Sequence, residues 1–180
     1  MIDLRPAGRA LNAVVAGITD SDLSAATPCD EYSVAELLVH VDEAARGFGG
    51  VDGEPLTPGA DRWRETLKHR VEQVGTAWAA PQAWEGSSEL AGLGLSNAEW
   101  GRIALTELVV HGWDLARATG QELVLPEETV RACYEHVATF LDEPPVPELW
   151  GTPVKVDERA ALLDRLVGIT GRSPRVGGGE

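Results

Sequence analysis

Positive charge is scarce in this chain. Of its fifteen basic residues only Lys68 and Lys155 are lysines, against 29 Asp and Glu, for a formal net charge of -14. Nucleic-acid binding rests on neutralising phosphates with Lys and Arg, so such a chain is not expected to take a nucleic-acid partner. The same balance disfavours anionic membrane surfaces. No apolar run approaches the roughly 20 residues of a membrane span. The opening MIDLRPAGRALNAVVAG lacks the apolar core and cleavage site of a signal peptide, so a cytoplasmic location is expected. Cysteine is rare too. Cys29 and Cys133 are far apart and give no disulfide framework or metal-type pair. The favoured reading makes both small buried hydrophobes. The other makes Cys29 a reactive thiol, set just ahead of a helix N-terminus that would lower its pKa. Also missing are a P-loop, a Gly-rich dinucleotide fingerprint and a Gly-x-Ser-x-Gly elbow.

What is present is helical periodicity. A length of 180 residues with 43% hydrophobic content suits one domain with a real core. Residues 1–175 are expected to form it, and 176–180 a disordered tail. Leu4, Leu11, Val14, Val15 and Ile18 recur at helical spacing and predict a helix over 4–19. Ser33-Val34-Ala35-Glu36 is a capping box opening a second helix to about Gly47. A third helix is expected from about Ala60 to Ala79, with Trp63, Leu67, Val71, Val74 and Trp78 inward and His69 solvated. Residues 80–97 read as a long irregular connection, of the kind that often borders a site. Ser96-Asn97-Ala98-Glu99 caps a fourth helix, which Gly120 ends. Pro126 opens a fifth helix to about Leu141, with Val130, Cys133, Tyr134, Val137 and Leu141 inward and His136 at the surface. Four prolines keep 142–156 out of helix and central strand. A last helix is expected from Asp157 to Gly171. The only conceivable strands are a short pair near Leu123–Leu125 and Val154–Val156. The fold class is therefore all-α, an antiparallel bundle with added C-terminal helices.

The stretch Ala104–Gly120, ALTELVVHGWDLARATG, stands apart. It is apolar nearly all round, as befits a helix inside a bundle, yet it carries Glu107, His111 and Asp114. At about 100° per residue these three share one face. A buried carboxylate and imidazole need partners. His40, on the edge of the apolar face of the second helix, completes a set of three. Bundle cores build metal sites from facing helices, and two imidazoles with a carboxylate are a known catalytic zinc set. The donors suit Ni, Mn or Fe(II) as well. The plainer reading is a hydrogen-bonded Glu107–His111 pair, or an ion pair of Glu107 with Arg102 or Arg131. Asp114 either orients a ligand imidazole or makes a helix-to-helix hydrogen bond.

Two blocks resemble a known family. Thr27-Pro28-Cys29-Asp30-Glu31-Tyr32-Ser33-Val34 with Leu37-Leu38-Val39-His40-Val41, and then Glu107-Leu-Val-Val-His111-Gly-Trp-Asp-Leu-Ala-Arg-Ala-Thr-Gly120, are similar to the DinB/YfiT-like metal-binding superfamily. The nearer branch is actinobacterial and includes the N-terminal domain of mycothiol-dependent maleylpyruvate isomerase. Leu163-Asp164-Arg165-Leu166 and Gly171-Arg172-Ser173-Pro174 also fit. Tyr32 stands where that branch usually has Trp. The resemblance implies a DinB-like four-helix bundle and a divalent metal held by His40, Glu107 and His111, with zinc foremost. Some relatives use such a metal to activate the thiol of mycothiol or bacillithiol. A small thiol or electrophile is then the expected partner, and a homodimer the expected assembly. A chain of this length is expected to lack the isomerase's separate C-terminal domain, and S-transfer is therefore expected ahead of isomerisation. The alternatives are a non-catalytic metal- or ligand-binding stress protein and a metal-activated hydrolase.

Overall fold

The computed structural model describes residues 1–90, 92–140 and 151–174. They are mostly helical, with one small two-stranded sheet. No helix among them is long and apolar enough to cross a membrane. The chain divides into two compact units, with the boundary between Leu125 and Pro126.

The first unit holds α1 (Arg5–Gly17), α2 (Val34–Gly49), α3 (Trp63–Ala77) and α4 (Asn97–Ala118). Both expected capping boxes form. The Ser33 hydroxyl accepts the Glu36 amide, and the Glu36 carboxylate accepts the Ser33 amide at 2.8 Å. Ser96 and Glu99 repeat this at the head of α4, with bonds of 3.2 and 3.0 Å. Each box satisfies two amides that a helix start leaves orphaned. At the other end of α4, Gly120 sits at φ +67°, the left-handed conformation that a glycine just past a helix supplies. Helices α1 and α2 each pack against both α3 and α4. Leu11, Leu37, Leu38, Leu67, Leu105 and Leu115 are wholly buried in this core. Helix α4 is buried almost all round, from Ala104 to Ala116 with Glu107 as the one half-exposed position.

The connection before α4 is not irregular throughout. Ser87–Leu90 (β1) pairs antiparallel with Leu93–Ser96 (β2), from Ser87 opposite Ser96 to Leu90 opposite Leu93. Gly92 turns the hairpin at φ +78°. Both strands are largely exposed. With no face fully buried there is no apolar alternation for a sequence reader to find. The conceivable pair at Leu123–Leu125 and Val154–Val156 forms no strand. Trp100 on α4 donates its indole N–H to the Ser88 carbonyl at 3.1 Å, which ties the hairpin to the helix.

The second unit pairs α5 (Glu127–Val137) with α6 (Leu162–Ile169). A 3-10 turn at Ala138–Phe140 follows α5; the expected end at Leu141, and residues 142–150 of the proline-rich segment, lie outside the described residues, as does the tail at 176–180. His136 is buried, 7% exposed, and not at the surface. It shares a helical face with Cys133 and Val137, which are both fully buried. Helix α6 starts five residues later than expected. Asp157 instead accepts the Arg159 amide at 2.8 Å in a local turn, the competing use of a short acidic side chain.

One buried ionic cluster, invisible in the periodicity, ties α2 to α3 and to the segment between them. Asp42 is fully buried. One carboxylate oxygen accepts from Arg70, and the other from Arg46 Nε at 3.1 Å and the Leu56 amide at 3.2 Å. Arg70 and Arg46 also donate to the carbonyls of Glu54 and Gly53. Removing one partner of such a cluster leaves a buried charge uncompensated. Asp42→Ala should therefore lower unfolding free energy by about 3–5 kcal/mol in urea titration; a loss below ~1 kcal/mol would show the cluster to be dispensable.

Candidate metal centre

Helices α2 and α4 run antiparallel. His40 meets His111 with ring centroids 4.9 Å apart, and further along α2 Phe48 meets Trp100 at 6.2 Å. That pairing aims His40 at the Glu-x-x-x-His face of α4. His40 Nε2 lies 3.1 Å and His111 Nε2 3.2 Å from the same oxygen, Glu107 Oε2. The imidazoles are nearly perpendicular, at 85°, so two ring edges approach one carboxylate oxygen from different directions. Asp114, fully buried one turn further on, places Oδ2 3.1 Å from His111 Nδ1.

A carboxylate accepts and does not donate, so His111 Nδ1 carries the proton it gives to Asp114. In a neutral imidazole that leaves a lone pair on Nε2, facing the Glu107 oxygen. A lone pair and a carboxylate oxygen 3.2 Å apart repel unless a positive charge lies between them. With Glu107 ionised, either His111 is protonated on both nitrogens or a cation sits in the gap. The donor atoms of His40, Glu107 and His111 all lie within 4.8 Å of one another. A tetrahedral ion with bonds of about 2.0–2.1 Å needs ligand atoms roughly 3.3 Å apart, close to the spacings found.

Without a cation the proton fills the role. Burial alone would raise Glu107 and lower His111. The opposite happens in both cases. The His111 charge, with hydrogen bonds from His111 and His40, holds the Glu107 carboxyl well below the usual carboxylate range. The Glu107 charge and the Asp114 hydrogen bond push His111 up to about 9.

The loop before α2 reaches the same place. Tyr32 stacks on His40, centroids 5.5 Å apart and planes within 20°. Cys29 is half-buried, and its Sγ lies within 4.8 Å of donor atoms on both His111 and Asp114. Sequence reading set Cys29 aside as a small hydrophobe. Its closeness to Asp114, 85 positions on, is a product of the antiparallel packing and has no local signal. Cys133 does fit the bland reading, being fully buried. His69 is exposed, and His136 belongs to the second unit. Arg131 pairs with Glu127 rather than Glu107. Beside Glu107 lies a shallow apolar recess of about 10 Å³, lined by Val41, Ala44, Phe48, Val74, Ala104 and Leu108.

With this geometry in hand, likeness to other proteins can be placed on it. Residues 4–60 match the family described as the mycothiol maleylpyruvate isomerase N-terminal domain. The matched stretch holds α1, the Thr27–Tyr32 loop and all of α2 with His40, and bears out the resemblance read there. Over 172 residues the chain is 27% identical to an uncharacterized protein of Mycobacterium tuberculosis strain CDC 1551 / Oshkosh and, equally, to one of strain ATCC 25618 / H37Rv. Each alignment covers 88% of this chain and 93% of the relative. No solved structure matches the chain significantly.

The shifted pair predicts how stability of metal-free protein follows pH. The raised His111 contributes stability that is complete below its ordinary 6.5 and lost as pH climbs through about 9. The depressed Glu107 contributes stability present above its ordinary 4.5 and lost as pH falls below it. Thermal unfolding in chelator should therefore show stability declining from pH 6.5 to 9. His111→Gln should flatten that decline; an unchanged slope would show that His111 is not the group responsible.

Proposed function

We propose that this chain is a divalent-metal protein that acts on a small thiol of the mycothiol type, S-transfer more readily than isomerisation. In this reading α1–α4 form a DinB-like antiparallel four-helix bundle and His40, Glu107 and His111 hold the ion, zinc first among the candidates. The observation that carries the reading is the approach of two imidazole nitrogens to one carboxylate oxygen, with Asp114 on the far nitrogen of His111.

A divalent ion held by these residues would supply Lewis-acid chemistry, making a bound thiol or water nucleophilic at neutral pH. The chain's own residues prepare for it. Asp114 takes the Nδ1–H of His111, fixing the tautomer that offers Nε2. Tyr32 stacks on His40 and limits its ring rotation. Two neutral imidazoles and one carboxylate leave net positive charge on a divalent ion, which favours an anionic thiolate.

The recess beside Glu107 favours a second reading. At about 10 Å³, room for a single water, it is far below the roughly 300–1,000 Å³ usual for small-molecule sites, which favours a protein that binds metal without turning over a bulky substrate.

Elemental analysis of protein purified without added metal should find about one ion per chain, sharply reduced in His111→Ala and Glu107→Gln. Unchanged content in both variants, with folding intact by circular dichroism, would sink the metal reading. Because His111 is protonated in the metal-free state, zinc binding near pH 7 should release about one proton per ion, measurable by calorimetry in buffers of different ionisation enthalpy. Mycothiol conjugation to a panel of electrophiles then separates the two readings: metal-dependent turnover supports the enzyme, and none leaves the binding protein.

A further inference from the structure

An imidazole has two edges, and only one edge of His111 is used by the set described above. The other faces Asp114, and Cys29 stands beside it. Cys29 Sγ, an Asp114 carboxylate oxygen and a His111 nitrogen all lie within 4.8 Å of one another. The three come from separate parts of the first unit, the loop ahead of α2 and the interior of α4. Asp114 is fully buried and His111 is 8% exposed.

The loop that delivers Cys29 is locked. Thr27 Oγ1 accepts the Cys29 amide at 3.2 Å and approaches the carbonyls of Cys29 and Tyr32 at 2.9 and 2.8 Å. The Tyr32 amide donates to the Cys29 carbonyl at 2.9 Å, and Ala26 bridges Ser33 across the loop base. The thiol's position is thus set by the fold, not by a swinging side chain alone.

We propose that Cys29, His111 and Asp114 form a second cation position, on the Nδ1 edge of His111, that takes a thiophilic divalent ion. Thiolate, imidazole and carboxylate are all established zinc donors, and a thiolate biases a site toward soft ions. A neutral imidazole has a single lone pair, so the two positions are alternatives around one ring. An ion with His40 and Glu107 leaves the Nδ1–H for Asp114. An ion with Cys29 and Asp114 leaves an Nε2–H for Glu107. In either arrangement both carboxylates keep a partner, so moving the ion strands no buried charge. On loading, the Cys29 thiol and His111 Nδ1 each give a proton to solvent, His111 keeping its Nε2–H, and no redox change occurs. This position does not depend on the thiol-transfer reading and needs no ion at the first position, although an ion there would exclude one here.

Cadmium is the probe, because thiolate coordination gives it a near-ultraviolet charge-transfer band. Titrating cadmium into chelator-stripped full-length protein should raise that band in the wild type and in Cys133→Ser, and not in Cys29→Ser. It should persist in the double variant His40→Asn/Glu107→Gln, which removes only the first position, and Asp114→Asn should shift its midpoint to at least tenfold higher cadmium. In the unaltered protein, cadmium should slow iodoacetamide alkylation of Cys29 at least tenfold, read by peptide mass spectrometry; this arm needs no variant to fold. Absence of the band from the wild type, its persistence in Cys29→Ser, its loss from a folded His40→Asn/Glu107→Gln protein, or unslowed alkylation would each overturn the proposal.

Discussion

One carboxylate oxygen, Glu107 Oε2, is approached by two imidazoles from two helices. A half-buried carboxylate tolerates this place only while positive charge stays beside it. The neighbourhood is arranged to keep that charge there. Asp114 backs His111 from within the core, Tyr32 braces His40 from the loop, and α2 lies antiparallel to α4 so that residues 40 and 111 meet. Proton or metal ion can supply the charge. The raised His111 and lowered Glu107 are the signature of the proton doing so.

The face of α4 was legible because helical geometry is local. Glu107, His111 and Asp114 fall on one side at 100° per residue, and an apolar surround says that this side is inside. Both capping boxes could be read to the residue, since each is a pattern of four positions. His40 was legible more weakly, as a polar residue at the edge of an apolar stripe. What escaped depended on partners distant in sequence. Asp42 looks like any charged helix residue until Arg70 and the Leu56 amide close on it. Cys29, in the loop ahead of α2, acquires its meaning from Asp114 on α4. The hairpin at Ser87–Ser96 is too exposed to leave an alternating pattern. His136 is buried because it shares its helical face with two core residues, although its position beside the predicted stripe suggested solvent.

Likeness and geometry bear on different halves of the centre. The match to the mycothiol maleylpyruvate isomerase N-terminal domain covers residues 4–60 and includes His40 and the Cys29 loop. Glu107, His111 and Asp114 lie beyond it and rest on the packing of α4 against α2. The reading as a metal protein joins the two: a histidine from the matched stretch and a Glu-x-x-x-His pair from the helix that faces it.

The most direct test is anomalous scattering from crystals of zinc-loaded protein, recorded on both sides of the zinc edge. The expected result is a peak within bonding distance of His40 Nε2, Glu107 Oε2 and His111 Nε2, with Asp114 still on His111 Nδ1. A fully loaded crystal with no peak among those three atoms would contradict the reading of this cluster as a metal centre.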